Sequence, residues 1–205
     1  MRRFYCSWRL YCSIYCLTVL FAGFLLIPQS YSAQRYELEV KQELLNISYI
    51  FLLKQIGVTE KTGNNDGEVV KYLQSVGLYK GNPYCAAGQY WVFMKAADSL
   101  GLDKSFIPIP RTGLSSSIFE FGRINGRHTN FITKKHDLLI WKKGNTIYGH
   151  TERIIETGKA GWVWTVGFNT KDAKTGMEGV FKKRRNIYHP LLNMKIRGII
   201  GFKGV

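Results

Sequence analysis

The spacing of apolar residues changes once along this chain, and that change restricts the folds open to it. Before Gly101 the spacing is helical. Leu38, Leu44, Leu45, Ile47, Ile50 and Phe51 predict a helix over 36–55, ended by Gly57. A polar loop, Thr59–Gly67, follows. Val69, Val70, Leu73 and Val76 predict a second helix, stopped by Gly77 with Leu78 beyond it, as a left-handed C-cap requires. Ala86, Tyr90, Met94 and Ala97 recur at i, i+4, i+8 and i+11 and predict a third, ended by Gly101. Between Pro108 and Lys135 the pattern weakens to Pro, Gly and a Ser115-Ser116-Ser117 run, with one helical turn at Ile118–Phe121. Short apolar and period-two runs then take over. Leu138–Trp141, Tyr148–Ile155 and Trp162–Val166 predict strands, and Ile196–Phe202 closes the sheet. Helices first and an antiparallel sheet second predict one α+β domain.

The head of the chain reads differently. Arg2, Arg3 and Arg9 precede an apolar run from Ile14 to Ile27, then Pro28 and the small-residue stretch Ser30–Ala33. Residues 1–33 therefore read as a secretory signal, cleaved near Ser32–Gln34, with an uncleaved membrane anchor as the alternative. The run is short for a span of about 20 residues. The expected location is the periplasm, cell envelope or exterior, with membrane contact only through an uncleaved leader. Residues 34–205 form the folded domain. Cys6, Cys12 and Cys16 fall in the leader, which leaves Cys85 alone. One thiol forms no internal disulfide and no Cys-rich metal site, so no metal or cofactor is predicted. An unpaired thiol in an oxidising compartment is expected to be buried or used. The net charge is +15, of which Arg2, Arg3 and Arg9 supply three, leaving +12 on the domain. That surplus favours an anionic partner. The leader, and the lack of a zinc-finger, helix-turn-helix or RNP pattern, argue against nucleic acid.

Cys85 is placed for chemistry. Asn82-Pro83 is turn sequence, so Cys85 opens the third helix, where unpaired N–H groups and the helix dipole favour a negatively charged sulfur. A cysteine nucleophile needs a base and a group to orient it. Of His128, His136, His150 and His189, His150 stands out, following Gly149 at the start of a strand. Asn169, just past the next strand, offers a carbonyl to fix the imidazole tautomer. The bland alternatives are an inert core thiol, a core histidine and an ordinary Asn-Thr turn. Glu152 shares a strand face with His150, but reads as an exposed surface residue. The Thr62–Leu73 stretch fails as a calcium loop, because its first and twelfth positions carry no carboxylate.

The order Cys85, His150, Asn169, on a helix followed by strands, is the papain-like layout. Pro83-Tyr84-Cys85-Ala86-Ala87, Asp137-Leu138-Leu139-Ile140-Trp141 through Gly149-His150, Asn169-Thr170 and Glu178-Gly179-Val180-Phe181 resemble, in order, the motifs of the CHAP-type cysteine amidases and peptidases, relatives of the NlpC/P60 group. Ile56–Gly67 and Tyr72–Leu78 resemble the segment before that family's cysteine. The resemblance implies a papain-like fold and hydrolysis of an amide bond in peptidoglycan, either between sugar and stem peptide or within the peptide. Peptidoglycan is the implied partner, with anionic envelope polymers and an inhibitor or immunity protein as further classes. It implies that Asn65 lines the cleft, and makes Tyr84 and Trp164 candidate substrate contacts. Trp162 and Trp164 share a strand face and read as core or cleft wall. The Lys182–Arg185 run reads as a solvated edge that also attracts anionic polymer. The departures are Gly167 where the family carries Glu, Tyr84 for Trp, His136 for a turn Gly, and Gly88 for an aromatic. Loss of the acid predicts weaker polarisation of His150. The alternative is a catalytically weak or inactive wall-binding protein on the same fold.

Overall fold

The computed structural model describes residues 33–205; the expected leader lies outside these, apart from Ala33. Seven strands form one sheet: β1 (Gln34–Val40), β2 (Arg127–Thr129), β3 (Leu138–Lys142), β4 (Gly149–Thr157), β5 (Trp162–Lys171), β6 (Glu178–Asn186) and β7 (Lys195–Gly204). Their spatial order is β2-β1-β7-β3-β4-β5-β6. Four helices accompany them: α1 (Gln42–Lys54), α2 (Val70–Ser75), α3 (Cys85–Ser99) and α4 (Ser115–Asn125). The architecture is mixed and compatible with α+β. The sheet is not purely antiparallel as expected, because β1 and β7 run parallel, from Gln34 opposite Gly198 to Val40 opposite Gly204.

Strand alternation sorts the core. Leu138 and Ile140 of β3, with Tyr36, Leu38, Val40, Ile200 and Phe202, face α1, α3 and α4. Leu139 and Trp141 point the other way, into a cluster with Ile154, Val163, Ile187 and Ile199. Further along the sheet Val166, Phe168 and Val180 meet Tyr72, Tyr84, Ala87 and Val92. α3 contributes to both helix-side clusters, so it is apolar almost all round. Its predicted stripe, Ala86, Tyr90, Met94 and Ala97, lies on the first of these clusters.

Three expectations need correcting. Residues 34–40 are a strand, with the helix starting only at Gln42. β1 buries Arg35 and Glu37 on the face opposite its apolar residues, because both are paired: Arg35 donates from Nε to Asp137 at 3.1 Å, and also to Glu37 and Thr129. The serine run is the first turn of an eleven-residue helix, α4, which buries Ile118 and Phe119. The Lys182–Arg185 run lies on the edge strand β6, but alternation leaves only Lys182 and Arg184 exposed and turns Lys183 and Arg185 to the other face, partly buried. Elsewhere the turn chemistry behaves as expected: Gly77 has φ +79° and Leu78 N–H bonds Leu73 C=O at 2.9 Å, closing the α2 C-cap. His136, in its turn position, has φ +78°, a backbone shape in which glycine is at ease.

Candidate active site

Tyr84 caps α3 in a non-helical conformation and Cys85 is the first helical residue, so its N–H is among those a helix cannot satisfy itself. Cys85 is a free thiol, 4% exposed. His150 is the second residue of β4, paired with Trp141 of β3, whose ring lies 6.0 Å from the imidazole. Through Nε2 the imidazole hydrogen-bonds Glu152 Oε1 at 3.1 Å, which leaves Nδ1 free, and Cys85 lies near enough to favour the charged ring. Helix start and strand start thus bring the two predicted residues together.

The third partner is not Asn169. Its Nδ2 donates to Asn65 Oδ1 at 2.9 Å, in a β5 bulge where Asn169 has φ +54°. Asn65, at φ +53°, gives its own Nδ2 to Gly81 C=O and receives Gly81 N–H on its carbonyl. Its N–H bonds Glu60 Oε2 at 2.8 Å, while Glu60 Oε1 accepts from Tyr84 Oη at 3.0 Å. This network ties the 59–67 loop, the turn before Cys85 and the end of β5 together. Asn65 and Asn169 brace the helix start; Asn169 does not orient the imidazole. Tyr84 is wholly buried, stacked on Tyr72, and does not face a substrate. Burial, with the neighbouring Glu60 carboxylate second, pushes its phenol far above the ordinary range. Trp164 is exposed, with Lys182 Nζ 4.5 Å from its ring centre, and alternation points it away from the face that carries Glu152.

Glu152, not Asn169, hydrogen-bonds the imidazole, and the surface reading of it is overturned: it is fully buried. Beside His150, it accepts Thr165 Oγ1 at 2.5 Å and both Nε and Nη2 of Arg185, at 2.9 and 2.5 Å. Burial alone would raise its carboxyl; the hydrogen bonds from Arg185 and His150 hold it down at about 2. For His150 burial likewise opposes the charge, but Cys85, then the bond to Glu152, lifts it to about 9. That upward direction is the one a thiolate–imidazolium pair requires. The weaker polarisation expected from Gly167 is answered by a carboxylate on the histidine's own strand. Period-two spacing from His150 was the available signal for Glu152; nothing local pointed to Arg185 or Thr165.

Among the described residues no three His, Cys, Asp or Glu side chains converge as a metal site would require. The arrangement suits nucleophilic attack by sulfur on a carbonyl, with proton transfer through His150. No family model, curated protein or solved structure matches this chain.

Proposed function

We propose that this chain is a cysteine hydrolase that cleaves an amide bond in peptidoglycan. The observation that carries the reading is a histidine bonded to a buried carboxylate, His150 to Glu152, with its charge favoured by Cys85 at a helix N-terminus. The substrate class rests on the CHAP-type motifs around Cys85 and His150, on the export signal read in residues 1–33 and on the surplus of 29 Lys+Arg over 14 Asp+Glu. Sulfur attacks the amide carbon, and the Cys85 N–H with the positive end of α3 stabilises the oxyanion. His150 then protonates the departing nitrogen as the C–N bond breaks. Water, losing its proton to His150, opens the thioester and restores the thiol. Glu152 holds the ring and its positive charge throughout.

Purified peptidoglycan tests this. Wild type releases new amino groups and soluble fragments, whose masses identify the bond cut. Cys85→Ala keeps the fold and loses release by at least about 100-fold, the scale of losing a nucleophile or base. Equal release by both proteins ends the proposal. The second reading, a wall-binding protein with little turnover, draws on the burial of both Cys85 and His150. It predicts sedimentation with peptidoglycan, unchanged in Cys85→Ala, and no release by either.

A further inference from the structure

Glu152 reaches the imidazole through a space kept clear by a residue of another strand. Gly167 of β5 stands directly opposite Glu152 in the ladder. A Cβ at position 167 would lie 2.8 Å from Glu152 Oε1, 2.9 Å from its Cγ and 3.0 Å from its Cδ. Gly167 is not among the residues with positive φ, so its backbone is open to any side chain; what the site needs there is room. Arg185 then closes over the carboxylate from β6, the edge strand, with a two-nitrogen grip. Within the Lys182–Arg185 run, Lys182 and Arg184 lie instead over Trp164 and Trp162, so alternation aims Arg185 inward.

We propose that Gly167 and Arg185 are positioning residues for the Cys85–His150 pair, both acting through Glu152: Gly167 leaves the opening for its carboxylate, and Arg185 clamps it against the imidazole. This rests on the reading of that pair as reactive. Positioning and simple charge separate at Arg185→Lys. A cation at position 185 favours thiolate through its field alone, and lysine keeps that charge while losing the two-nitrogen grip on the carboxylate. A clamp leaves the Arg185→Lys midpoint above that of wild type; an Arg185→Lys midpoint equal to wild type assigns the effect to charge and overturns positioning.

The test is alkylation of the full chain by iodoacetamide across pH, with the Cys85 peptide followed by mass spectrometry. It needs no substrate. A reactive pair makes wild-type Cys85 alkylate faster below about pH 7 than the same thiol in the unfolded chain. Arg185→Gln, Gly167→Ala and Glu152→Gln each move the midpoint upward by about one pH unit, a tenfold loss of thiolate at a fixed lower pH. Arg185→Lys restores part of the shift, and Gly167→Ala adds nothing to Glu152→Gln, since both act through one carboxylate. Circular dichroism identifies any variant that fails to fold, and Arg185→Lys keeps the charge should Arg185→Gln do so. An Arg185→Gln midpoint equal to or below that of wild type overturns the proposal and leaves the pair intact. A wild-type Cys85 that titrates like a free thiol overturns the pair itself.

Discussion

Gly88 shows how one residue is chosen against its own local preference. It lies one turn inside α3, fully enclosed, where glycine weakens a helix by about 1 kcal/mol relative to alanine. Alanine is nevertheless excluded by packing. A Cβ there would sit 2.2 Å from Phe168 Cγ and 2.3 Å from Cδ1, inside the ring of a wholly buried side chain. Overpacking of this kind costs about 1–3 kcal/mol, which outweighs the gain in propensity. Gly88→Ala is therefore expected to lower stability by up to about 2 kcal/mol in urea titration. In a Phe168→Leu background, where the ring is gone, the same change becomes neutral or favourable. If Gly88→Ala stabilises the wild-type protein, the helix does not lie as close to β5 as the structure places it. The aromatic residue that the motif resemblance leads one to expect at position 88 is absent because Phe168 already fills that volume from the sheet.

At the scale of elements, β1 depends on the ion pairs under it. Arg35 has 1% of its surface exposed and bonds Asp137 with two nitrogens, at 3.1 Å each, and Glu37 with two more contacts at 3.2 Å. Gly201 of the parallel partner β7 gives the guanidinium its room, since a Cβ there would lie within 2.1 Å of Nη2. Arg35→Met leaves buried Asp137 without its cation and Glu37 with only the exposed Lys134 and Arg127, and is expected to cost about 3–5 kcal/mol, read from the urea midpoint. Arg35→Met with Asp137→Asn and Glu37→Gln recovers much of that loss, because no charge is then left alone. This strand was legible: Tyr36-Glu37-Leu38-Glu39-Val40 alternates with period two, and the helical series beginning at Leu44 obscured it. α4 was less so, since Ser115-Ser116-Ser117 is poor helix sequence and the helix is held by burial of Ile118 and Phe119 against distant strands. Cys85 and His150 could be read because each depends on a local cue, a helix start after Asn82-Pro83 and a strand start after Gly149. Glu152 could not be ranked above a surface residue, for its meaning comes from Thr165, Gly167 and Arg185 on two other strands. Asn169 failed for the converse reason: its side chain is claimed by Asn65, far away in sequence and beside it in space.

For the whole molecule the perturbed groups set limits on both sides of neutral pH. Glu37, despite burial, is held at about 2 by hydrogen bonds from Lys134 and Arg35, and Glu152 is held at about 2 by Arg185 and His150. A carboxyl with a depressed folded pKa stabilises above its unfolded value, and that contribution is lost as pH falls through the folded one. The loss therefore runs from about 4.3, the ordinary glutamate value, down through about 2. Asp137 works against it, because burial pushes its carboxyl up against the pull of Arg35. Glu120, held down by Arg123 and Arg197, acts in the same direction as Glu37 and Glu152, and stability falls on acidification. His150 has the opposite sign. Its folded pKa is raised to about 9, so its contribution is complete below the ordinary imidazole value of about 6.5 and disappears as pH rises through 9. His136, which burial holds neutral down to about 3, loses its contribution as pH falls below about 6.5, so the melting temperature is expected to be highest near pH 6.5 and to decline on both sides. His150→Gln removes part of the alkaline decline while leaving the acid one, and Glu37→Gln does the reverse. These two partial effects separate the site from the scaffold, since His150 belongs to the junction of α3 and β4 and Glu37 to the far end of the sheet. An alkaline limb unchanged in His150→Gln means the imidazolium is not held by the fold, and the thiolate it is meant to balance loses its partner.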